Sequence, residues 1–247
     1  MTRIFEIISR TARGVVLLFC IQAAAQPAYS QNDGRGSNAT LLHSDDFTQE
    51  PLAGRWIAET EPKGRSRVRA QDGRLILDTG GGVTVWFKPK LEGNIRIEYD
   101  WTVLVDSGRN DRLSDLNQFW MATNPRNADL FAANAQARSG SFAEYDSLSL
   151  YYVGFGGNTN TTTRFRKYHG DGTKPLLKEY LDAPHLLKPN HTYHIVITVK
   201  DGRTTFSADG EVLFDWTDPA PLTAGWFGFR STQARHAIDR FRVWKLN

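Results

Sequence analysis

The run Thr162-Thr163-Arg164-Phe165-Arg166-Lys167-Tyr168-His169 carries the most pointed chemistry in this chain. Read as a β-strand, it sends alternate side chains to opposite faces. With Phe165 directed into a core, Arg164, Arg166 and Tyr168 share the other face, and His169 stands at the strand's end. Two guanidiniums beside a phenol and an imidazole suit an anionic substrate that must lose a proton. Arginine grips a carboxylate through paired hydrogen bonds. Neutralising a uronate carboxylate in this way acidifies the proton on the adjacent carbon, and Tyr168 or His169 would remove it as general base. The competing reading is a solvated strand face laced by cross-strand ion pairs.

Three further runs offer partners. Gly108 to Trp120 is a polar loop entering a strand, and loops on a rigid sheet are where binding groups concentrate. If Phe119 and Met121 are core, Gln118 and Trp120 face the other way, so Asn110, Arg112, Asn117 and Trp120 become candidates to hold hydroxyls, a carboxylate and a sugar ring. An Asp–Arg network that merely fixes the loop is the alternative. In Tyr145 to Asn158, Tyr151 and Asn158 are candidate subsite residues, and Gly154, Gly156 and Gly157 permit a bulge or a close approach. In Gly225 to Ser231, core positions for Phe227 and Phe229 leave Trp226 and Arg230 on the opposite face, with Gly228 making room for a ring. Arg235 and His236 are expected in a following loop. Four groups therefore compete as the base: Tyr168, His169, His194 and His236. Tyr168 is favoured because it shares a face with both arginines.

Other chemistries lack their signatures. There is no Gly-x-Ser-x-Gly elbow, no His-Glu-x-x-His helix and no phosphate-binding glycine loop. Glu98 and Asp100 share a strand face, and Glu144 and Asp146 lie close in sequence, but no Glu-x-Asp-x-x-Glu spacing marks a paired-carboxylate glycosidase. Asp111 and Asp115 are oxygen ligands compatible with a structural calcium, although their spacing is not that of an EF-hand. No metal or cofactor is required by an elimination.

Bulk properties narrow the setting. Arg3, Arg10 and Arg13 precede the short apolar run Gly14 to Ala25, which reads as a secretory signal peptide over 1–25 and places the mature chain outside the cytoplasm, secreted or periplasmic. The single cysteine, Cys20, falls inside that leader, so the mature chain holds no disulfide. The formal net charge is +3. Removing the leader's three Arg and one Glu leaves 27 basic and 26 acidic residues, which gives nucleic acid no footprint. No other segment is apolar enough to hold a membrane after cleavage. Residues 26–40 form a polar, flexible linker, and 41–247 form one domain.

The elements that must position these groups are strands. Ile95, Ile97, Tyr99, Trp101 and Val103 alternate with polar residues, as do Tyr193, Ile195, Ile197 and Val199. Asp72-Gly73, Asp171-Gly172, Asp201-Gly202 and Asp209-Gly210 are turn dipeptides. Phe241 to Trp244 is a last strand, expected near the first one. Asn127 to Ser139 is the one short helix or long loop. Short strands without βαβ alternation mean an all-β sandwich or jelly roll. Seven Trp and eight Tyr leave some rings for a curved sheet's free face, where they would stack on sugars.

The runs Asn110-Asp111-Arg112 with Asp115 to Ala122, Tyr151 to Gly154 with Gly157-Asn158 and Thr162 to Arg166, and Gly225 to Arg230 resemble secreted bacterial proteins of the concanavalin A-like lectin/glucanase superfamily. The resemblance covers residues 41–247 and implies a jelly roll of two antiparallel sheets. It further implies a place in systems that degrade uronate-rich polysaccharides such as rhamnogalacturonan and ulvan; one branch is similar to an oligosaccharide dehydratase. The expected activity is β-elimination by a carbon–oxygen lyase on a uronate-containing saccharide. A lectin-like binding module and a glycoside hydrolase stand as alternatives, because this fold hosts all three.

Overall fold

The computed structural model describes residues 39–132 and 138–247. The expected leader, nearly all of the expected linker and residues 133–137 of Asn127–Ser139 lie outside them. The described chain is built from β1 (Ala39–Asp45), β2 (Trp56–Thr60), β3 (Arg67–Gln71), β4 (Arg74–Thr79), β5 (Val83–Glu92), β6 (Ile95–Val103), β7 (Leu116–Thr123), β8 (Ser149–Gly156), β9 (Thr162–His169), β10 (Leu176–Tyr180), β11 (Thr192–Lys200), β12 (Arg203–Ala208), β13 (Glu211–Thr217), β14 (Ala224–Ser231) and β15 (Ala234–Leu246).

These strands form two antiparallel sheets. The first runs β13-β12-β11-β6-β15-β4-β3, with β1 also paired to β15; the second runs β10-β9-β8-β7-β14-β5-β2. This is the jelly-roll sandwich that the alternation implied. The chain's end returns to its start, Ala39 facing Leu246 and Asp45 facing Phe241. Three of the four turn dipeptides close hairpins. Both residues of Asp72-Gly73, Asp201-Gly202 and Asp209-Gly210 take positive φ, the conformation a tight two-residue hairpin needs. Asp171-Gly172 instead lies in the β9–β10 connection, where the Asp171 carboxylate accepts hydrogen bonds from the Thr173 amide and hydroxyl at 2.8 and 2.6 Å.

The interior between the sheets is strongly aromatic. Trp56 stacks on Phe229 and meets Phe87 and Phe241 edge-on or tilted, with Tyr99 and Phe227 alongside. A second apolar layer lies on the far side of the second sheet. There Trp86, Phe119, Tyr152, Tyr168 and Trp226 pack against residues of 124–132 and 138–148, namely Leu130, Phe131, Phe142, Tyr145 and Leu148. The latter stretch includes a 3-10 helix, Phe142–Ser147. The second sheet is thus buried on both faces over much of its area, and this decides what the sequence could reveal about it.

His236 belongs to the sandwich interior. It sits in β15, not in a loop, and is fully buried. Trp101 Nε1 donates to its Nδ1 at 3.1 Å, so the proton rides on Nε2, 2.7 Å from Ser231 Oγ. Burial pushes its pKa down to about 3 from an ordinary 6.5. The folded state therefore keeps the ring neutral where the unfolded chain would protonate it. The stability this contributes is complete above the unfolded pKa and is lost as pH falls from 6.5 toward 3. Urea unfolding of wild type and His236→Gln should show a steeper loss in the wild type between about pH 6 and about pH 4, by up to ~1.4 kcal/mol per pH unit. Parallel acid limbs would refute the buried neutral assignment.

Candidate functional site

Register fixes which side chains meet on the covered face of the second sheet. One row across the strands reads Glu179, Arg164, Gly154, Asn117, Arg230, Thr84 and Glu59. The next reads Leu176, Arg166, Tyr152, Phe119, Gly228, Trp86 and Ile57. Tyr168 lies one step further along β9, opposite Leu150. Phe165 points the other way, into the interior, stacked with Trp120 and Phe214. Arg164, Arg166, Tyr168, Asn117, Trp226 and Arg230 thus project from one face.

Most charges on that face are already engaged. Arg164 is ion-paired with Glu179. Arg166 Nη1 donates to the Lys174 carbonyl at 2.8 Å. Glu59 receives Arg138 at 2.6 Å and the Tyr145 hydroxyl at 2.8 Å, pinning the covering segment. Lys174 reaches both Asp146 oxygens, at 2.7 and 2.6 Å, and lies over the rings of Phe142 and Tyr168. Arg230 is different. It is 6% exposed, its Nε is buried without a partner, and among the described residues its guanidinium makes no hydrogen bond or ion pair. Phe142 lies against its guanidinium, 4.5 Å from ring centre to Cζ. Burial draws its pKa down, while Tyr145, Asp115 and Tyr152 pull it back up.

Around Arg230 are three phenols, of Tyr145, Tyr152 and Tyr168, and the carboxyls of Asp115 and Glu61. Burial raises the Tyr168 pKa, and Asp146 adds to this, while Arg166 and Arg230 oppose it. Burial likewise raises Tyr152, with Asp115 adding. Asp115 itself is raised by burial against the pull of Ser114 and Arg230, with Ser114 Oγ donating to it at 3.1 Å. Tyr152 donates to Asn117 Oδ1, and Asn117 Nδ2 donates to the Arg230 backbone carbonyl at 3.2 Å.

Several expected site residues lie elsewhere. Trp120 and Tyr151 belong to the sandwich interior: Trp120 Nε1 donates to Thr204 Oγ1 at 3.0 Å, and the Tyr151 hydroxyl to Asp218 at 2.6 Å. Phe119, not Trp120, is on the site face, against the expected parity, while an irregularity at Met121 returns that residue to the interior as expected. Asn110 and Arg112 hold the 104–115 loop in place, Asn110 on Asp78 at 2.7 Å and Arg112 on the Thr232 carbonyl at 2.9 Å. Arg235 joins that loop through Asp111 and Asp106. The loop-fixing network is therefore the one observed. Asn158 is exposed at a left-handed turn between β8 and β9. His169 is exposed at the strand end, and its parity is that of Phe165, not of Tyr168. His194 pairs with Asp100 on the first sheet. His236 is in the interior, as above. Trp226 is on the expected face but lies under Phe131, its Nε1 bonded to the Lys88 carbonyl at 3.0 Å. The room at Gly228 is taken by Trp86, onto which a Cβ would collide. Tyr152 was not among the expected site residues, and Asp115 was expected only as a calcium ligand.

Among the described residues no group of three or more His, Cys, Asp or Glu is placed to hold a metal ion. Nor is any helix long and apolar enough to cross a membrane.

Residues 77–241 match the family described as Domain of unknown function (DUF6250). The chain belongs to the DUF6250 family. A search of the curated proteins finds no match. Among solved structures, this DUF6250 member is similar to a Bacillus subtilis protein of unknown function with a galectin-like fold, at 19% identity and TM-score 0.69, covering 83% of this chain and 95% of that one. It is also similar to an endo-β-1,3-glucanase from Pyrococcus furiosus, at 10% identity and TM-score 0.57, covering 86% and 97%. A third is the carbohydrate-binding module CBM66 from Bacillus subtilis, at 13% identity and TM-score 0.51, covering 76% and 94%. At such identities the likeness establishes the fold of the DUF6250 chain, a galectin-like and concanavalin A-like jelly roll, and leaves its ligand to the site.

Proposed function

We propose that this protein binds a uronate-bearing saccharide on the face of the second sheet and acts on it by β-elimination. The observation that carries this reading is Arg230. A guanidinium withdrawn from water with no ion pair or hydrogen bond of its own is costly, and a ligand carboxylate would supply the contact charge and the missing acceptors. Arg166, one row away, adds a second cation. Together they stabilise the enolate-like charge that builds on the carboxylate as the C5 proton leaves. Tyr168 exchanges that proton, and the C4–O bond breaks as the C4=C5 double bond forms, the departing oxygen taking a proton from Tyr168 or its neighbour.

The acidic groups of this face favour elimination over hydrolysis. A glycosidase needs two carboxyls facing each other across a sugar. Glu59, Glu179 and Asp146 are each held by a cation. Glu61 takes the Gly82 amide and lies 3.8 Å from Lys63, and Glu144 is tied to the Ser139 amide and hydroxyl, which leaves Asp115, among the described residues, bonded only to Ser114. That the structural neighbours include a carbohydrate-binding module and a glucanase supports a saccharide ligand for this fold. Binding without chemistry is the lectin-like outcome of the same test.

Uronate oligosaccharides of the ulvan, pectin and glycosaminoglycan types should develop the ultraviolet absorbance of an unsaturated uronate when incubated with the protein. Tyr168 must lose its proton to act as base, and both burial and Asp146 raise its pKa. The rate should therefore climb through the alkaline range. Asp146→Asn should move the rising limb to lower pH, with Arg166, Arg230 and Lys174 still facing the phenol. Arg230-dependent binding with no absorbance change would leave only the lectin-like reading; a rate that falls with rising pH would remove Tyr168 from its role.

A further inference from the structure

We infer that Tyr152 recognises a free hydroxyl group beside the carboxylate held at Arg230, so that the ligand is a hydroxy acid donating a hydrogen bond to the Tyr152 oxygen. This rests on the carboxylate reading of Arg230 and adds to it the second group that the ligand must carry.

The argument is one of obligatory donors and acceptors. The Arg230 backbone carbonyl can only accept, and the Asn117 side-chain amide lies 3.2 Å from it. The amide nitrogen must therefore face that carbonyl, and the amide oxygen must face away. The Tyr152 hydroxyl meets this oxygen. It has one proton and must place it there. Its lone pairs remain, and among the described residues no side-chain or backbone donor fills them. With its proton committed to Asn117, the phenol oxygen can take part in a further hydrogen bond only as an acceptor.

The location of this oxygen ties it to the carboxylate. Tyr152 faces Arg166 across β8 and β9, and Asn117 faces Arg230 across β7 and β14. Between them Gly154 contributes no side chain. A Cβ there would collide with the Tyr152 hydroxyl and stand 3.1 Å from Asn117 Oδ1. The glycine is thus what allows the phenol to lie along the sheet with its oxygen on Asn117 Oδ1, where Arg230 and Arg166 both act on it. A carboxylate or sulfate oxygen cannot donate to that oxygen, whereas an alcohol can. In a hexuronate the hydroxyl on C4 is β to the carboxyl group, which makes a β-hydroxy acid the smallest ligand that carries both groups.

The probes are propanoate, 3-hydroxypropanoate and 3-methoxypropanoate, titrated by NMR into wild type, Tyr152→Phe and Asn117→Leu. Wild type should bind 3-hydroxypropanoate about tenfold more tightly than its methyl ether. Tyr152→Phe should bring that ratio close to one while keeping its affinity for propanoate. The ring remains in this variant, so exclusion of the ether by bulk alone would leave the ratio unchanged and overturn the proposal. Asn117→Leu should also close the ratio, because the freed phenol can then donate to the ether oxygen. It serves as the second variant should Tyr152→Phe fold poorly. Carboxylate binding that depends on Arg230 but ignores the hydroxyl sinks this inference and spares the carboxylate site. No binding of any of the three probes to wild type sinks both.

Discussion

Arg230→Met should remove carboxylate affinity and leave the protein as stable as wild type or more so. The two effects have opposite sign because the same feature causes both. In the free protein the guanidinium is almost fully buried, packed on Phe142, and bonded to no described residue. Replacing a buried cation that has no ion pair or hydrogen bond of its own with an unbranched apolar side chain of similar length is expected to stabilise by roughly 1–3 kcal/mol. In the complex, losing one partner of a desolvated charge pair should cost about 2–5 kcal/mol, a hundredfold or more in affinity. Thermal midpoints and a glucuronate titration on both proteins decide it. A variant that unfolds many degrees earlier, or one that binds glucuronate as well as wild type, would show that Arg230 is a structural cation with a partner of its own. Arg164 offers the contrast. Its charge is met by Glu179 in the free protein, so Arg164→Met should neither stabilise nor abolish binding to the same degree.

The sandwich was legible in the sequence because its interior obeys a simple period. In β6 and β11 one parity is apolar and the other polar, and the structure buries the apolar parity. In β9 the same rule placed Arg164, Arg166 and Tyr168 correctly, because a single apolar residue, Phe165, stood among charged ones. It failed in β7 and β8. There both parities are apolar or aromatic, since Phe119 and Tyr152 pack in the cluster with Leu130, Phe142, Tyr145 and Leu148 while Trp120 and Tyr151 pack between the sheets. Period-two reasoning reports which parity is more apolar; it cannot say which is inside when both faces are covered. The signal that could have resolved β8 is Gly154. A glycine between aromatic neighbours marks a point where another group crosses the sheet, and that group is the Tyr152 hydroxyl. His236 was misplaced for another reason. A histidine with buried partners on both ring nitrogens has no local signature, and Trp101 and Ser231 become its neighbours only through the pairing of β15 with β6 and the turn from β14.

The largest loss of stability is expected from Asp218→Ala, and it explains why the buried lysine next to the site is not part of the chemistry. Lys167 lies in β9 between Arg166 and Tyr168 but points into the sandwich, 2.7 Å from the Asp218 carboxylate and 2.6 Å from the Ala220 carbonyl. Asp218 also accepts from the Tyr151 hydroxyl at 2.6 Å and the Ala220 amide at 2.9 Å. Burial alone would raise the Asp218 pKa; the hydrogen bonds from Lys167 and Tyr151 hold it below the usual carboxylate range. The two partners are therefore unequal. Without Lys167 the carboxylate still has two donors. Without Asp218 the ammonium keeps one carbonyl, and a buried charge left so poorly matched should cost roughly 3–5 kcal/mol. Urea unfolding should place Asp218→Ala far below wild type and Lys167→Met well above Asp218→Ala. Lys167→Met should also retain uronate binding, since its side chain is on the opposite face from Arg166 and Tyr168. Loss of binding with an unchanged unfolding midpoint in Lys167→Met would move the lysine into the site and reverse the assignment of faces on β9, on which the roles of Arg166 and Tyr168 depend.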